Sequence, residues 1–180
     1  MNGFGASLRE LWLPTVAMIV IIVVSNIAVQ IPINDWLTWG ALTYPVSFLV
    51  TDLTNRRFGP LRARRVVYVG FAIAVILSIY FAGPRIAVAS GSAFLLAQLL
   101  DITVFDRLRN TSWWRAPLIS SSLASTLDTA LFFSLAFAFT GLPWVTWALG
   151  DLAVKMVMAA TMLIPFLALM RMITAQPARS

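Results

Sequence analysis

Ionisable side chains inside long apolar stretches are the residues of this sequence with the clearest capacity for chemistry. Asp128 lies near the middle of one apolar stretch, and Lys155, the only lysine of the chain, lies well inside the next. A charged residue at the centre of a bilayer costs at least about 2.5–3.5 kcal/mol on insertion scales, so each one needs a partner or a function. Carboxylate and ammonium groups at such depth can bind a polar ligand or neutralise one another.

The same charged residues also have a purely structural interpretation. Asp52 and Arg56 are four residues apart, as are Asp151 and Lys155, so either couple could form an ion pair within one helix that only lowers the cost of burial. Lys155 could also neutralise Asp128 or Asp151 across a bundle. No basic residue lies one turn from Asp128 on its own segment, which favours a binding role for Asp128.

Uncharged polar residues occur at similar depths in the apolar stretches. Gln98 and Asp101 are three residues apart and share a helix face, with Ser90 about two turns earlier. Asn26 lies in the outer third of the first stretch. Small hydroxyl residues also occur where helices pack tightly, which explains most of the serines. That explanation does not cover Gln98, Asn26 and Asp128 together.

The composition of the chain indicates that membrane-spanning segments hold these residues. Of its 180 residues, 60% are hydrophobic and only 11% are charged, and the mean hydropathy is +0.87. A soluble domain carries about 25% charged residues, so this chain could not cover a water-facing surface. It has no cysteine and no histidine, which excludes disulfides, thiolate or histidine metal sites and histidine proton relays. We therefore expect no metal and no cofactor.

Six apolar segments are each long enough to cross a bilayer, the first of them read as a retained helix and not a cleaved signal. They cover residues 11–31, 38–55, 66–83, 86–105, 117–139 and 146–170, and Pro45 is expected to kink or break the second. Residues 32–35, 83–84 and 141–143 are predicted to form tight turns on one side. The arginine-rich connections 56–65 and 107–115 are predicted to face the cytoplasm on the other.

This charge distribution predicts the topology. Both termini then also lie inside, and Arg85 is the only arginine left on the outer side. We predict an all-α integral membrane protein of six transmembrane helices, located in the bacterial inner membrane. Residues 1–180 are predicted to form a single domain. Although the net charge is +6, the arginines cluster in short connections, so the partner is the lipid bilayer and not nucleic acid.

Several motifs spread over nearly the whole chain have a joint spacing that is more specific than any one of them. They are Thr38-Trp39-Gly40-Ala41, Thr51-Asp52-Leu53-Thr54 with Arg56, Arg85-Ile86-Ala87 with Ser90, Gln98-Leu99-Leu100-Asp101, Ser125 with Asp128-Thr129, and Asp151 with Lys155. In these motifs the sequence resembles the YhhQ-type queuosine-precursor transporters of the vitamin uptake transporter (VUT) family. The resemblance implies import of 7-cyano-7-deazaguanine (preQ0), or its aminomethyl relative, for queuosine in tRNA. It also implies a six-helix fold similar to the substrate-binding components of energy-coupling-factor transporters.

The chemistry of such a ligand matches the polar residues. A deazaguanine presents adjacent N–H donors that a carboxylate can accept side by side, and a carbonyl that needs a donor. We expect Asp128 or Asp101 to accept from the donor edge and Lys155 or Gln98 to reach the carbonyl. An aromatic side chain would stack on the ring, the candidates being Trp39, Tyr44 and Phe94. Asn26, Ser90 and Asp151 complete the binding set, with Asp52, Arg56 and Arg85 assigned to gating or ion pairing.

Three functions remain open at the level of sequence. The leading one is a stand-alone secondary transporter for a small heterocycle, and its first rival is the substrate-binding subunit of an ATP-driven vitamin-type transporter. The second rival is an intramembrane enzyme with Asp101 and Asp128 as an acid–base pair, but the usual catalytic signatures are missing, so we predict that the protein is not an enzyme. The sequence does not show whether the ligand is the nitrile or the aminomethyl form, or which energy source drives transport. It also leaves open whether the protein forms a homodimer.

Overall fold

The fold is a bundle of helices with one small hairpin. A computed structural model of the protein describes residues 3–28, 31–34, 37–82 and 84–175. The helices are α1 (Gly3–Ala28), α2 (Trp39–Thr43), α3 (Val46–Phe58), α4 (Pro60–Ala82), α5 (Pro84–Leu108), α6 (Arg115–Phe137), α7 (Trp144–Thr161) and α8 (Leu163–Ala175). Strands β1 (Pro32–Asn34) and β2 (Leu37–Thr38) pair antiparallel between α1 and α2.

Five helical stretches in the described residues are long and apolar enough to cross a membrane. They are Glu10–Ala28, Pro60–Phe81, Pro84–Leu108, Arg115–Phe137 and Trp144–Met172. These stretches correspond to five of the six predicted apolar segments. The outer faces of α1 and α4 are apolar and exposed, for example at Val20, Ile76 and Tyr80, as expected of surfaces that contact lipid.

The segment predicted as the second span, residues 38–55, is not one continuous helix. The structure divides it into α2, of 5 residues, and α3, of 13 residues, with a turn at Tyr44 and Pro45. Proline has no N–H to donate, and its ring collides with the carbonyl four residues earlier, so a helix cannot run through this position undisturbed. The break therefore confirms the effect predicted for Pro45.

The arginine-rich connection predicted over residues 56–65 is much shorter than expected. Gly59 alone separates α3 from α4, and its φ of 84° explains why glycine stands there. Pro60 then begins α4, a favoured first helical position. The arginines lie on helical turns and not in a loop. The second connection is confirmed as a loop, since α5 ends at Leu108 and α6 begins at Arg115.

The predicted turns have mixed outcomes. Residues 141–143 form a turn between α6 and α7, with Gly141 at a φ of 77°. Residues 32–34 form strand β1 instead of a simple turn, while Asp35 and Gly83 lie outside the described residues. The last predicted span is interrupted at Met162, between α7 and α8. Pro165 explains the interruption, since its ring opposes the carbonyl of Thr161.

Close packing of α4 and α5 with their neighbours fixes the bundle. α5 packs along α3, α4 and α6, and α1 packs on α4. At Gly70 in α4 a Cβ atom would lie 2.7 Å from Cγ of Met18, so the absence of a side chain lets α1 approach closely. Because α5 is surrounded, the polar residues on its inward face are buried against α3 and α6.

Candidate functional site

Lys155 forms the centre of a buried ionic cluster. Its Nζ lies 2.7 Å from Oδ2 of Asp128 and 2.6 Å from Oδ2 of Asp151. Lys155 also donates to Oγ1 of Thr129 at 3.2 Å, and that hydroxyl donates to Oδ2 of Asp151 at 2.7 Å. The Tyr44 hydroxyl donates to Oδ1 of Asp128 at 3.2 Å. These five residues are called the lysine cluster below.

Local sequence spacing explains how the lysine cluster forms. Asp151 and Lys155 are one turn apart on α7, so both point toward the same neighbour, and Asp128 and Thr129 meet them from α6. The break at Pro45 ends α2 so that Tyr44 reaches the cluster, with the Lys155 ammonium 5.7 Å from the centre of its ring. Both structural interpretations of Lys155 hold, since it pairs within its helix and across the bundle.

The lysine cluster carries more negative than positive charge. Lys155 and Asp128 are only 5% and 4% exposed, so neither is solvated by bulk water. One ammonium faces two carboxylates, which leaves the group with one surplus negative charge when all three are ionised. Buried charges of this kind are stable only when their hydrogen bonds are satisfied, and this arrangement provides that through Tyr44 and Thr129.

A second cluster of buried carboxyl groups lies on α3 and α5. The Ser121 hydroxyl lies 3.4 Å from Oδ2 of Asp52 and 3.4 Å from Oδ1 of Asp101. The Ser120 hydroxyl is 3.5 Å from Oδ1 of Asp52. Asp101 is completely buried, and its Oδ2 has no hydrogen-bond partner among the described residues. These four residues are called the carboxyl cluster below.

The ion pair offered as one interpretation of Asp52 and Arg56 is wrong. In the described part of the chain Asp52 contacts serine hydroxyls from α6, and Arg56 donates instead to the main-chain oxygen of Arg109. Arg109 in turn donates to the main-chain oxygens of Asn55 at 2.8 Å and Arg56 at 3.2 Å. The arginines thus tie the end of α3 to the α5–α6 connection, because side chains there can satisfy the last helical carbonyls.

A small cavity lies between α3, α6, α7 and α8 and joins the two clusters. Its lining includes Lys155 from the lysine cluster and Asp52 and Ser121 from the carboxyl cluster. The space at its centre is about 10 Å³, room for roughly one water molecule. The full lining is Pro45, Phe48, Leu49, Asp52, Pro117, Ser121, Ser125, Lys155, Ala159, Met162, Leu163 and Phe166.

Both helix interruptions border this cavity. Pro45 lies at the break between α2 and α3, and Met162 lies at the break between α7 and α8. Interrupted helices occur in membrane proteins where the backbone lines a cavity or is buried in protein, because the freed polar groups need partners. The cavity is therefore the place in the described structure where charge, hydroxyl groups and helix breaks coincide.

Gln98 lies beside the carboxyl cluster but is fully engaged by α3. Its amide donates to Oγ of Ser47 at 2.9 Å, and its Oε1 accepts from the Thr51 hydroxyl at 2.6 Å. The side chain does not line the cavity. In this structure Gln98 therefore joins α5 to α3.

Three other predicted site residues lie apart from the cavity. Asn26 donates to the main-chain oxygen of Ile22 on its own helix at 2.9 Å. Ser90 donates to the hydroxyl of Ser78 at 3.1 Å and so joins α5 to α4. Trp39 is 51% exposed. The structure does not bring these three residues to the two clusters.

Phe94 and Arg85 also contact neighbouring helices and do not line the cavity. Phe94 is buried in the core beside α1 and α4, with its ring edge toward Tyr44 and 6.2 Å between ring centres. Arg85 donates to the main-chain oxygens of Leu135 at 3.2 Å and Ala138 at 2.9 Å. It therefore caps the end of α6, where a cation is also favoured by the helix dipole. Of the three predicted stacking residues, Tyr44 is the one that belongs to the lysine cluster.

Sequence reasoning missed the serines that line the cavity. Helix packing is the sequence-based explanation of most serines, and neither Ser121 nor Ser125 is among the predicted site residues. Their spacing carries the signal, since Ser121, Ser125 and Asp128 follow the i, i+4, i+7 pattern of one helix face. In the described ranges no three acidic residues converge as metal ligands would.

Comparisons with known proteins agree with the sequence motifs. A family model described as "Putative vitamin uptake transporter" matches residues 38–83 and 79–170. The Queuosine precursor transporter of Escherichia coli (strain K12) is 35% identical over 197 residues, covering 92% of this chain and 89% of the relative. The Probable queuosine precursor transporter of Haemophilus influenzae is 37% identical over 168 residues, covering 72% of each chain.

A more distant relative, the Probable queuosine precursor transporter of Bacillus subtilis (strain 168), is 27% identical over 128 residues and covers 56% of each chain. No solved structure matches the chain. The relatives are transporters, which confirms the prediction of a multi-pass membrane transporter and not an intramembrane enzyme. The chain therefore belongs to the vitamin uptake transporter family, the family of the YhhQ-type queuosine precursor transporters that its sequence motifs resemble.

Proposed function

We propose that this protein imports a queuosine precursor, 7-cyano-7-deazaguanine or its aminomethyl form, across the bacterial inner membrane as a stand-alone transporter. The names of the relatives support the substrate class. The observation that carries the proposal is the Lys155–Asp128 ion pair, which is buried beside a cavity in the bundle. Intramembrane ionisable residues of this kind mark substrate and ion pathways.

In this proposal the ligand binds by replacing the hydrogen bond between Lys155 and Asp128. Lys155 leaves Asp128 and donates to the ring carbonyl of the deazaguanine. The freed Asp128 carboxylate then accepts the ring N–H and the exocyclic amine side by side. Both residues keep charge-assisted hydrogen bonds throughout, so no charge is left buried without a partner. Tyr44 lies against both residues and is the aromatic side chain that covers the ring.

The two helix breaks supply the movement that this binding requires. A space of about 10 Å³ is too small for a bicyclic heterocycle, so the described form is a closed one. Helix interruptions at the midplane are typical of transporters, where they line the binding site and let segments move against one another. We expect α2 and α8 to pivot at Pro45 and Met162 as the cavity opens.

The whole chain acts as one transporter domain over residues 1–180 in this proposal. α2 and α3 together supply the sixth crossing, interrupted at Pro45, and both termini lie in the cytoplasm, as the arginine distribution favours. The bundle would then be similar to the substrate-binding components of energy-coupling-factor transporters. Unlike those components, it would work without an ATPase partner.

Equilibrium binding to the purified protein tests the ligand and its residues together. Radiolabelled 7-cyano-7-deazaguanine should bind saturably to the wild type in lipid nanodiscs. Asp128→Asn should weaken binding about tenfold or more, because it removes a charge-assisted hydrogen bond worth roughly 1.5–3 kcal/mol. Asp106→Asn is the matched control, since Asp106 pairs only with Arg109 near the helix end in the described residues. Equal affinity of Asp128→Asn and wild type would contradict the proposal.

A further inference from the structure

The carboxyl cluster has too few hydrogen-bond donors for its acceptors. Asp52 and Asp101 present four carboxyl oxygens, and the two serine hydroxyls nearby have one proton each. Ser121 lies 3.4 Å from both carboxyl groups, so its single proton can serve only one of them. Ser120 can also donate to the main-chain oxygen of Pro117, at 3.4 Å.

Two further observations show that a donor is missing here. Asp101 is completely buried, one of its oxygens contacts Ser121, and the other has no hydrogen-bond partner in the described structure. Asn55 is one turn from Asp52 on α3, is also completely buried, and its side-chain oxygen likewise lacks a described partner. Buried acceptors without donors are rare and costly in native proteins, so this place requires an additional proton or ligand.

No cation in the described residues neutralises the two carboxyl groups. Charged side chains occur on the elements packed around them, but the ion pairs of the described structure include neither Asp52 nor Asp101. Lys155, which shares the cavity with Asp52, is held by two other carboxylates. Apart from the pair itself, the charged residues on helices α3 to α8 and on the α5–α6 connection are Arg56, Arg57, Arg62, Arg64, Arg65, Arg85, Asp106, Arg107, Arg109, Arg115, Asp128, Asp151, Lys155 and Arg171.

Two adjacent carboxyl groups in such surroundings cannot both be ionised. Like charges on either side of one hydroxyl repel strongly in a low dielectric, and pairs of this kind share one proton. A shared proton also supplies the missing donor, since a protonated carboxyl group is a donor as well as an acceptor. Protonation therefore resolves both the repulsion and the shortage of donors at the same place.

We propose that the Asp52–Asp101 pair carries one exchangeable proton and that the inward movement of this proton drives import. This inference rests on the proposed function. One proton binds the pair from the outer side, one precursor molecule binds at Lys155 and Asp128, and both are released inside. The cavity couples the two events, because Asp52 and Lys155 line the same small space. Each turnover with the neutral nitrile ligand then moves one positive charge inward.

An infrared measurement tests the proton without any substrate. The wild-type protein in nanodiscs should show a protonated-carboxyl band that shifts on transfer to heavy water. The band should disappear in the double variant Asp52→Asn/Asp101→Asn, because no carboxyl group then remains in the cluster to hold the proton. Asp106→Asn should leave the band unchanged. Absence of the band from wild-type protein near neutral pH, or its persistence in the double variant, would overturn the proposal.

Two transport modes then separate this inference from the proposed function. Proteoliposomes loaded with unlabelled 7-cyano-7-deazaguanine should exchange it for external label, which needs no energy source and tests import itself. Empty proteoliposomes with an acidic exterior should accumulate label several-fold, and a protonophore should abolish the accumulation. Asp52→Asn should retain exchange and lose accumulation. If the wild type exchanges label but its accumulation of label does not depend on the pH gradient, proton coupling is overturned. The proposed function would then still stand.

Discussion

At the scale of single residues, the one ammonium group of Lys155 pairs with two carboxylates. Lys155 is within 2.7 Å of Asp128 and 2.6 Å of Asp151, and its side chain is buried. Removing the lysine leaves two buried negative charges without a cation, whereas removing Asp128 leaves a one-to-one pair. The lysine therefore matters more for stability than Asp128 does.

This asymmetry can be measured as stability. We expect Lys155→Met to lower the free energy of unfolding by about 3–5 kcal/mol, the usual cost of breaking a buried ion pair. Asp128→Asn should cost clearly less, because Lys155 keeps Asp151 and the new amide can still accept a hydrogen bond from Tyr44. Thermal unfolding of the detergent-purified proteins measures both effects, with Asp106→Asn as the reference. A larger loss for Asp128→Asn than for Lys155→Met would contradict the assignment of Lys155 as the shared cation.

The sequence could predict these partners because they depend on spacing along one helix and on the cost of burial. Asp151 and Lys155 were predicted to pair, and Asp128 was singled out because it had no partner on its own helix. The sequence could not predict that Gln98 would be engaged by Ser47 and Thr51, because depth in a helix does not say which neighbour each face meets.

At the scale of elements, proline positions decide the shape of the site. Pro45 ends the continuous helix and brings Tyr44 to Asp128, and Pro165 interrupts the last span beside the cavity. Hydropathy alone predicts unbroken spans, because it measures how apolar a window is and not whether its backbone hydrogen bonds can form. The short connection at Gly59 was missed for the same reason, since arginines on helical turns look like a loop in a hydropathy profile.

A variant without the helix break at Pro45 tests whether this break is needed for transport. Pro45→Ala restores an N–H at this position and removes the clash with the preceding turn, so α2 and α3 can join. We expect thermal stability to stay equal or rise, while initial uptake of 7-cyano-7-deazaguanine falls several-fold because the hinge is lost. Pro14→Ala is the matched control, since Pro14 lies inside α1 and does not line the cavity. Unchanged uptake by Pro45→Ala would show that the break has no part in the movement.

At the scale of the whole molecule, the arginine distribution predicts the orientation of the bundle. The chain has no cysteine, so single introduced cysteines can be labelled without background. Ser112→Cys, in the connection between α5 and α6, should react with a membrane-impermeant maleimide only in inverted vesicles. Thr140→Cys, in the connection between α6 and α7, should react only in right-side-out cells. Labelling of both positions from the same side would contradict the predicted topology.

In the proposed function this chain alone imports a queuosine precursor by means of its buried charges. The relatives support the substrate class, and the two clusters beside one cavity support the route. A binding subunit that needs an ATPase partner would have the same ligand contacts but would not import alone. The deciding test is therefore import in a cell that contains no such partner.

Queuosine in tRNA reports this import directly. The host is a strain that cannot make the precursor and lacks both its own importer and any coupling-factor ATPase, grown with trace 7-cyano-7-deazaguanine. We predict that queuosine appears with the wild-type protein and with Asp106→Asn, and that it is absent or reduced at least tenfold with Asp128→Asn. No queuosine with wild-type protein present in the membrane, or full queuosine with Asp128→Asn, would contradict the account.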